Sequence, residues 1–123
     1  MFDLVDDAVS HKLISDFFDA GKIISAVCHG PIALAKVKLS DGSYLVNGQP
    51  VTGFSNVEEE QAGHTKDMPF LLEDVLKKNG GKYEKAEPWG AKVVIGRSGK
   101  LITGQNPASA GPVGEAIKTA LAV

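Results

Sequence analysis

The sequence predicts an α/β fold, in which helices pack against a mostly parallel sheet. Segments with apolar side chains at helical spacing alternate with short apolar runs along the 123-residue chain, and this alternation is the pattern of α/β layers. The single cysteine, Cys28, directly follows one of the strand-like runs, and such sheets place reactive residues at the carboxyl ends of their strands. The length fits one domain.

The composition narrows the classes of function. A net charge of −2 and a pI near 5.9 give no basic patch for nucleic acid, so we expect no nucleic-acid partner. No run of 18 apolar residues could cross a membrane, and the first residues lack the positive flank and apolar core of a secretory signal. One cysteine cannot form an internal disulfide, and a reactive thiol suits a reducing compartment. We therefore expect a cytoplasmic protein without a membrane partner.

The first third of the chain predicts helix, strand and helix. One apolar face predicts a helix over 5–20, which Gly21 ends. The residues of that face, which we expect to point inward, are Val5, Val9, Leu13 and Phe17, with Ile14 and Phe18 beside them. A buried strand over 23–27 follows, and then a helix over 30–36 with Pro31 in its first turn.

The rest of the chain continues the alternation. Turn signals at 41–42 and 47–48 bracket a short hairpin or loop. Further strands are predicted over 50–54 and 82–84, a hairpin over 93–96 and 100–103, and helices over 68–78 and 108–121. The last helix should present Val113, Ile117 and Leu121 to the core.

The residues around Cys28 predict a nucleophile elbow. A strand that turns abruptly into a helix exposes the side chain at the turn, and Gly30 lets the turn stay tight. Unpaired N–H groups at the helix start would favour the thiolate and bind an oxyanion. His29 would supply a base or an orienting partner. The alternative is an inert buried thiol at a strand end.

The connection over 55–68 holds three adjacent carboxylates, Glu58, Glu59 and Glu60, and the histidine His64. One interpretation is a solvated acidic turn with a helix cap, because charge runs usually face water. The other is that one carboxylate reaches inward and binds the His29 imidazole, as in a catalytic triad. His64 has no second ligand at useful spacing, so we predict no metal site.

Three ordered stretches resemble the PfpI superfamily, which includes the Parkinson-associated DJ-one protein. The first is the elbow over 26–31, Ala-Val-Cys-His-Gly-Pro. The second, over 51–59, resembles the acid-bearing segment of the heat-shock and glyoxalase III branch, and the third, over 101–109, resembles the last strand of that branch as it enters the C-terminal helix.

The resemblance implies a flavodoxin-like three-layer α/β/α sandwich with a mostly parallel sheet. Family members begin with further strands, so we expect residues 1–123 to be the C-terminal part of one PfpI-type domain. A glutamate on an early strand and a glycine-rich turn that completes the oxyanion hole would then be missing. An uncovered sheet edge is an aggregation hazard, so we expect a homodimer or a complementing N-terminal segment as partner.

The resemblance also implies a site and an activity. Cys28 is the expected nucleophile, His29 the base, and Glu59 the triad acid, with Glu58 as the other possible register. His29 and Gly30 would line the oxyanion pocket, and Trp89 lies in a loop near the pocket mouth, although it also fits a packing role. The implied activity is glutathione-independent glyoxalase III, which converts the small reactive carbonyl methylglyoxal to D-lactate without metal or organic cofactor.

Two alternatives to this enzyme stay open. The first is a stress-response holdase chaperone in which Cys28 senses redox state. The second is a cysteine peptidase or amidotransferase-like hydrolase, which would use the same Cys-His chemistry. Because the early-strand glutamate has no counterpart here, we expect the glyoxalase activity of this chain alone to be weak or absent.

Overall fold

The computed structural model describes residues 1–122. The helices are α1 (Ala8–Asp19), α2 (Ile32–Ala35), α3 (Asn56–Gln61), α4 (Leu72–Lys78) and α5 (Ala110–Ala120). The strands are β1 (Ile24–Val27), β2 (Pro50–Val51), β3 (Lys82–Tyr83), β4 (Val93–Gly96) and β5 (Leu101–Gly104). This order of helices and strands confirms the predicted α/β class.

The main sheet has three strands in the order β1-β5-β4. β1 runs parallel to β5, with Ile24 opposite Leu101, and β4 runs antiparallel to β5. A second sheet pairs β2 and β3 in parallel. The sheet is therefore mixed, and the β4–β5 hairpin lies where the sequence predicts it. Every residue of β5 is buried because layers cover both of its faces, and α5 packs on β5 and β1.

The apolar face predicted over 5–20 is only partly directed inward: Val5 is buried, but part of the face on α1 is exposed. Val9, Leu13 and Phe17 are 80%, 65% and 43% exposed, whereas Ile14 and Phe18 pack against the core. The reason is the position of β1, which pairs with β5 alone among the described strands and leaves its other edge free.

Several elements are shorter than the sequence predicts. The helix expected over 30–36 is only α2, the one expected over 68–78 begins at Leu72, and the strand expected over 50–54 ends at Val51. The region between residues 41 and 48, predicted as a short hairpin or loop, is a loop with a single bridge between Lys38 and Tyr44. Leu121, predicted to face the core, is exposed.

The shortened β2 strand has a clear cause, because the chain beyond it binds the elbow instead of a ladder. The Thr52 amide donates to the Thr103 hydroxyl at 2.9 Å. The Phe54 amide donates to the Cys28 carbonyl at 2.8 Å. The end of β2 is therefore attached to the turn that carries the cysteine.

The start of α3 is held to α4 by the buried carboxylate of Glu73. It accepts the Asn56 amide at 3.0 Å and pairs with the Lys77 ammonium at 2.6 Å. Burial alone would raise the pKa of Glu73, but the Lys77 and Asn56 hydrogen bonds outweigh it and lower that pKa below its ordinary value. The ionised form of Glu73 therefore stabilises the α3–α4 contact.

No helix among residues 1–122 is long and apolar enough to span a bilayer.

Candidate active site

Cys28 lies at a sharp turn between β1 and α2. Its amide continues the β1–β5 ladder by donating to the Gly104 carbonyl at 3.0 Å. Its φ of 64° is in the left-handed region, which a residue with a side chain adopts only at a cost. A Cβ on Gly30 would come within 3.0 Å of the Val27 carbonyl oxygen, so this position needs glycine. The turn is thus a strained strand-to-helix elbow with Cys28 at its tip.

The structure brings Cys28, His29 and Glu59 together in a row. Cys28 Sγ lies 3.5 Å from His29 Nδ1, and His29 Nε2 lies 2.6 Å from Glu59 Oε2. A carboxylate can only accept, so Nε2 carries the hydrogen and donates it to Glu59. Nδ1 is then the acceptor that faces the thiol. This arrangement suits a base oriented by a buried acid.

The first turn of α3 sends its three carboxylates in different directions. Ser55 caps the helix, and its side chain and Glu58 form a reciprocal capping box. Glu59 is buried against His29, Glu60 faces solvent, and Glu58 points away from the imidazole. The register with Glu58 as partner of His29 is therefore wrong, and so is the solvated acidic turn for Glu58 and Glu59.

His64 takes no part in this site. Its Nδ1 lies 3.1 Å from the Asp67 carboxylate in an exposed pair. The part of the chain that the structure describes contains no group of three or more His, Cys, Asp or Glu side chains able to hold a metal ion.

Glu58 is fully buried and accepts hydrogen bonds from four residues. Its Oε1 accepts from the Ser55 amide and hydroxyl and from Gln105 Nε2, at 2.8–3.0 Å. Its Oε2 accepts from the Trp89 amide and from Asn106 Nδ2, both at 2.8 Å. Burial alone would raise the pKa of Glu58, but these bonds outweigh it and hold that pKa below its ordinary value. No pattern in the sequence predicts this cluster of Glu58 with its donors.

The electrostatics of the elbow oppose the predicted thiolate. Burial raises the pKa of the Cys28 thiol, and the carboxylates of Glu58 and Glu59 raise it further. The His29 backbone N–H acts in the opposite direction but is outweighed. The predicted stabilisation by a helix start is small because α2 spans only four residues. At neutral pH Cys28 is therefore held mainly as the thiol.

Gly30, predicted to line the oxyanion pocket, does not have a free N–H to offer an oxyanion. Its amide donates to the Val27 carbonyl at 2.9 Å, so this N–H is already satisfied within the turn. The His29 N–H, which is directed at Cys28 Sγ, is the elbow donor that a developing oxyanion could use.

An aromatic row borders the imidazole. The Phe54 ring lies 4.3 Å from the His29 ring, tilted by 35°. Trp89 meets Phe54 edge-on at a centroid distance of 5.5 Å. Phe54 is buried, whereas Trp89 is 44% exposed. The indole is thus a packing partner of Phe54 that also forms part of the surface beside the site.

Comparison with known proteins finds consistent relatives. No protein-family model matches the chain. It is 32% identical over 130 residues to the probable glutathione-independent glyoxalase hsp3104 of Schizosaccharomyces pombe, with 98% of this chain and 56% of the relative covered. The chain spans about half the length of the curated relatives that it matches.

Solved structures agree with this result. Rapid Encystment Protein 24 kDa of Francisella tularensis superposes with a TM-score of 0.92 at 41% identity, with 98% of this chain and 52% of that chain covered. Glyoxalase III of Candida albicans superposes with a TM-score of 0.88 at 31% identity, with 97% and 52% covered. The fold is therefore of the DJ-1/ThiJ/PfpI-like class.

The chain belongs to the DJ-one/PfpI superfamily, in its glyoxalase III and heat-shock branch. The relatives include proteins named glutathione-independent glyoxalases and proteins named glutamine amidotransferase-like class 1 domain-containing protein 1.

Proposed function

We propose that the chain carries the cysteine-bearing part of a glyoxalase III-type enzyme that converts methylglyoxal and water to D-lactate without metal or organic cofactor. The observation that carries this proposal is the hydrogen-bonded row from Cys28 through His29 to Glu59, with separations of 3.5 and 2.6 Å. The glyoxalase names of the relatives support the choice of substrate. A free thiol with this role suits a reducing compartment such as the cytoplasm.

The first step makes a carbon–sulfur bond. Because Cys28 is held as the thiol, His29 Nδ1 takes its proton as the sulfur attacks the aldehyde carbon. The aldehyde oxygen becomes an oxyanion next to the His29 backbone N–H. The imidazolium, oriented by Glu59, then returns the proton to that oxygen and gives a hemithioacetal.

The second step is an internal transfer of hydrogen. A base removes the proton from the hemithioacetal carbon, and the neighbouring ketone carbon receives a proton, while the hydroxyl proton of the hemithioacetal passes to the ketone oxygen. The first carbon is thereby oxidised to a thioester and the second is reduced to an alcohol, so no external oxidant is needed. Water then cleaves the carbon–sulfur bond, which releases lactate and restores the Cys28 thiol.

The proton transfer between carbons requires a second base close to the substrate. We propose that this group lies in the part of the relatives' length that this chain does not span, and that the chain alone turns over slowly or not at all. A matching segment, or a second copy of the chain, would also cover the free edge of β1. A cooperatively folding monomer in gel filtration, with full activity, would contradict this part of the proposal.

The direct test is D-lactate formation from methylglyoxal without added thiol. The wild-type chain is compared with Cys28→Ala, with Glu59→Gln, and with Glu60→Gln as a control in which an exposed carboxylate of the same helix is removed. We expect turnover, including any slow turnover, to depend on Cys28 and Glu59 and not on Glu60. Turnover that survives Cys28→Ala would refute the cysteine mechanism.

A second candidate function is that of a holdase chaperone, which the exposed apolar face of α1 favours. Val9, Leu13 and Phe17 form that exposed face, and exposed apolar patches mark sites where other chains bind. Suppression of aggregation of a client protein that is lost in Leu13→Ser but kept in Cys28→Ala would support this function. Suppression that Leu13→Ser leaves unchanged would contradict it.

A further inference from the structure

The segment between β3 and β4 carries Trp89 and is held by hydrogen bonds from the buried side chains that follow β5. The Ala86 amide donates to Gln105 Oε1 at 2.8 Å, and Asn106 Nδ2 donates to the Gly90 carbonyl at 2.6 Å. Gln105 and Asn106 both donate in turn to Glu58. The segment is therefore fixed on a buried carboxylate and does not depend on a strand ladder for its position.

The backbone of Trp89 is held in an unfavourable conformation by this anchor. Its φ of 67° is in the left-handed region, which is costly for a bulky side chain. Its amide donates directly to Glu58 Oε2 at 2.8 Å. The indole Nε1 also donates to Gln61 Oε1 at 2.7 Å. The surroundings thus fix both the backbone and the ring of Trp89.

The fixed ring lies at one end of the aromatic row that begins at the catalytic imidazole. Phe54 contacts His29 on one side and Trp89 on the other. Phe54 is also bonded through its amide to the carbonyl of Cys28. The partly exposed indole is therefore coupled through one buried ring to the elbow that carries the nucleophile.

We propose that Trp89 is a specificity-determining residue, and that its indole forms a wall which admits small carbonyl compounds to Cys28 and excludes bulky ones. Glu58 is the positioning residue that holds this wall in place. This role of Trp89 rests on the proposed function, in which the substrate is methylglyoxal, one of the smallest dicarbonyl compounds. It concerns access to the thiol and not the chemistry of the carbonyl.

The test measures access to Cys28 without any need for turnover. The rates of alkylation by N-ethylmaleimide and by the bulkier N-pyrenylmaleimide are compared, because the two reagents share one reaction and differ in size. Trp89→Gly removes the indole and relieves the backbone. We expect the rate with the bulky reagent to rise about tenfold or more relative to the small one, as the removal of a pocket wall commonly gives. An unchanged ratio would overturn the proposal.

The role of Glu58 has its own readout, since Trp89 is the one tryptophan of the chain. Glu58→Gln should shift the tryptophan emission to the red, increase its quenching by acrylamide and raise the bulky-to-small alkylation ratio. Glu60→Gln, in the same helix, should change none of these. Emission and ratio that stay at wild-type values in a folded Glu58→Gln protein would contradict the positioning role.

Gln61→Leu provides a second variant in case Glu58→Gln does not fold. It removes the acceptor of the indole N–H and leaves the buried carboxylate intact. We expect the ratio of bulky to small alkylation rates to rise, but by less than in Glu58→Gln. An unchanged ratio would contradict the view that the indole hydrogen bond to Gln61 helps to hold the wall. Because alkylation does not depend on the glyoxalase reaction, these rates test the role of Trp89 even if the chain forms no lactate.

Discussion

Removal of the Glu58 carboxylate should destabilise the fold far more than its position in an acidic run suggests. Glu58→Ala takes away the acceptor for five hydrogen bonds. Some donors keep an alternative, since Asn106 Nδ2 also reaches the Gly90 carbonyl and the Ser55 hydroxyl can rotate. The amides of Ser55 and Trp89 have none that the structure provides.

The magnitude follows from these two amides. A buried donor left without a partner costs about 1–3 kcal/mol, and this cost applies in full to the buried Ser55 amide. The Trp89 amide is only partly buried and adds a smaller cost. Together these costs are a substantial part of the roughly 5–15 kcal/mol that holds an ordinary domain folded. Glu58→Gln should cost less than Glu58→Ala, because the glutamine oxygen still accepts from the donors at one of the two carboxylate oxygen positions. The glutamine NH₂ then faces the donors at the other position and cannot accept from them.

Urea unfolding followed by far-ultraviolet circular dichroism measures these costs. The matched control is Glu60→Ala, which removes a solvent-exposed carboxylate from the same helix and should change the free energy of unfolding by less than about 0.5 kcal/mol. If Glu58→Ala and Glu60→Ala had the same unfolding midpoint, the view of Glu58 as a buried anchor would be refuted.

Four further predictions concern the site, the acid response, the sheet and helix α5. Glu59→Gln should raise the alkylation rate of Cys28 at neutral pH, because a nearby negative charge that raises the thiol pKa is removed. Any turnover should fall about tenfold, because a charge-assisted hydrogen bond becomes neutral. If Glu59 has only a structural role, the alkylation rate should not rise. The lowered pKa of Glu73 means that its stabilisation is complete above the ordinary carboxyl pKa and is lost as the pH falls through the folded-state value, so the urea midpoint should drop on acidification in wild type and drop less in Glu73→Gln. Gly104→Ala should cost about 1–3 kcal/mol by overpacking, because its Cβ would meet Val113 Cγ2 at 2.6 Å. Gly114→Ala, with open space around it in α5, should instead stabilise by about 0.5–1 kcal/mol in the same unfolding assay.

The sequence was a good guide where local patterns decide the structure. The β4–β5 hairpin and β1 follow from short apolar runs and turn residues, and the glycine after Cys28-His29 indicates the sharp turn. The choice of Glu59 over Glu58 as the carboxylate nearest His29 could be made only through the family resemblance. The two residues are neighbours in one helical turn, and a small change in its orientation would exchange them.

Features that depend on distant residues could not be predicted. The donors to Glu58 come from the end of β5 and from the Trp89 segment, and no spacing rule connects them to the acidic run. The inward face of α1 was predicted correctly for Ile14 and Phe18 and wrongly for Val9, Leu13 and Phe17, because periodicity identifies an apolar face without saying what covers it. The raised pKa of Cys28 depends on burial and on two carboxylates that only the folded chain brings near the thiol.

The free edge of β1 could connect the binding of another strand to the proposed activity. The amides of Ile24 and Cys28 donate to the β5 side, so those of Ser25 and Val27 alternate with them and face outward. A strand that added along the whole of this edge would reach the turn that carries Cys28. If a second copy of the chain supplies that strand, the proposed activity should depend on protein concentration by mass action, and dilute and concentrated samples should differ in specific activity.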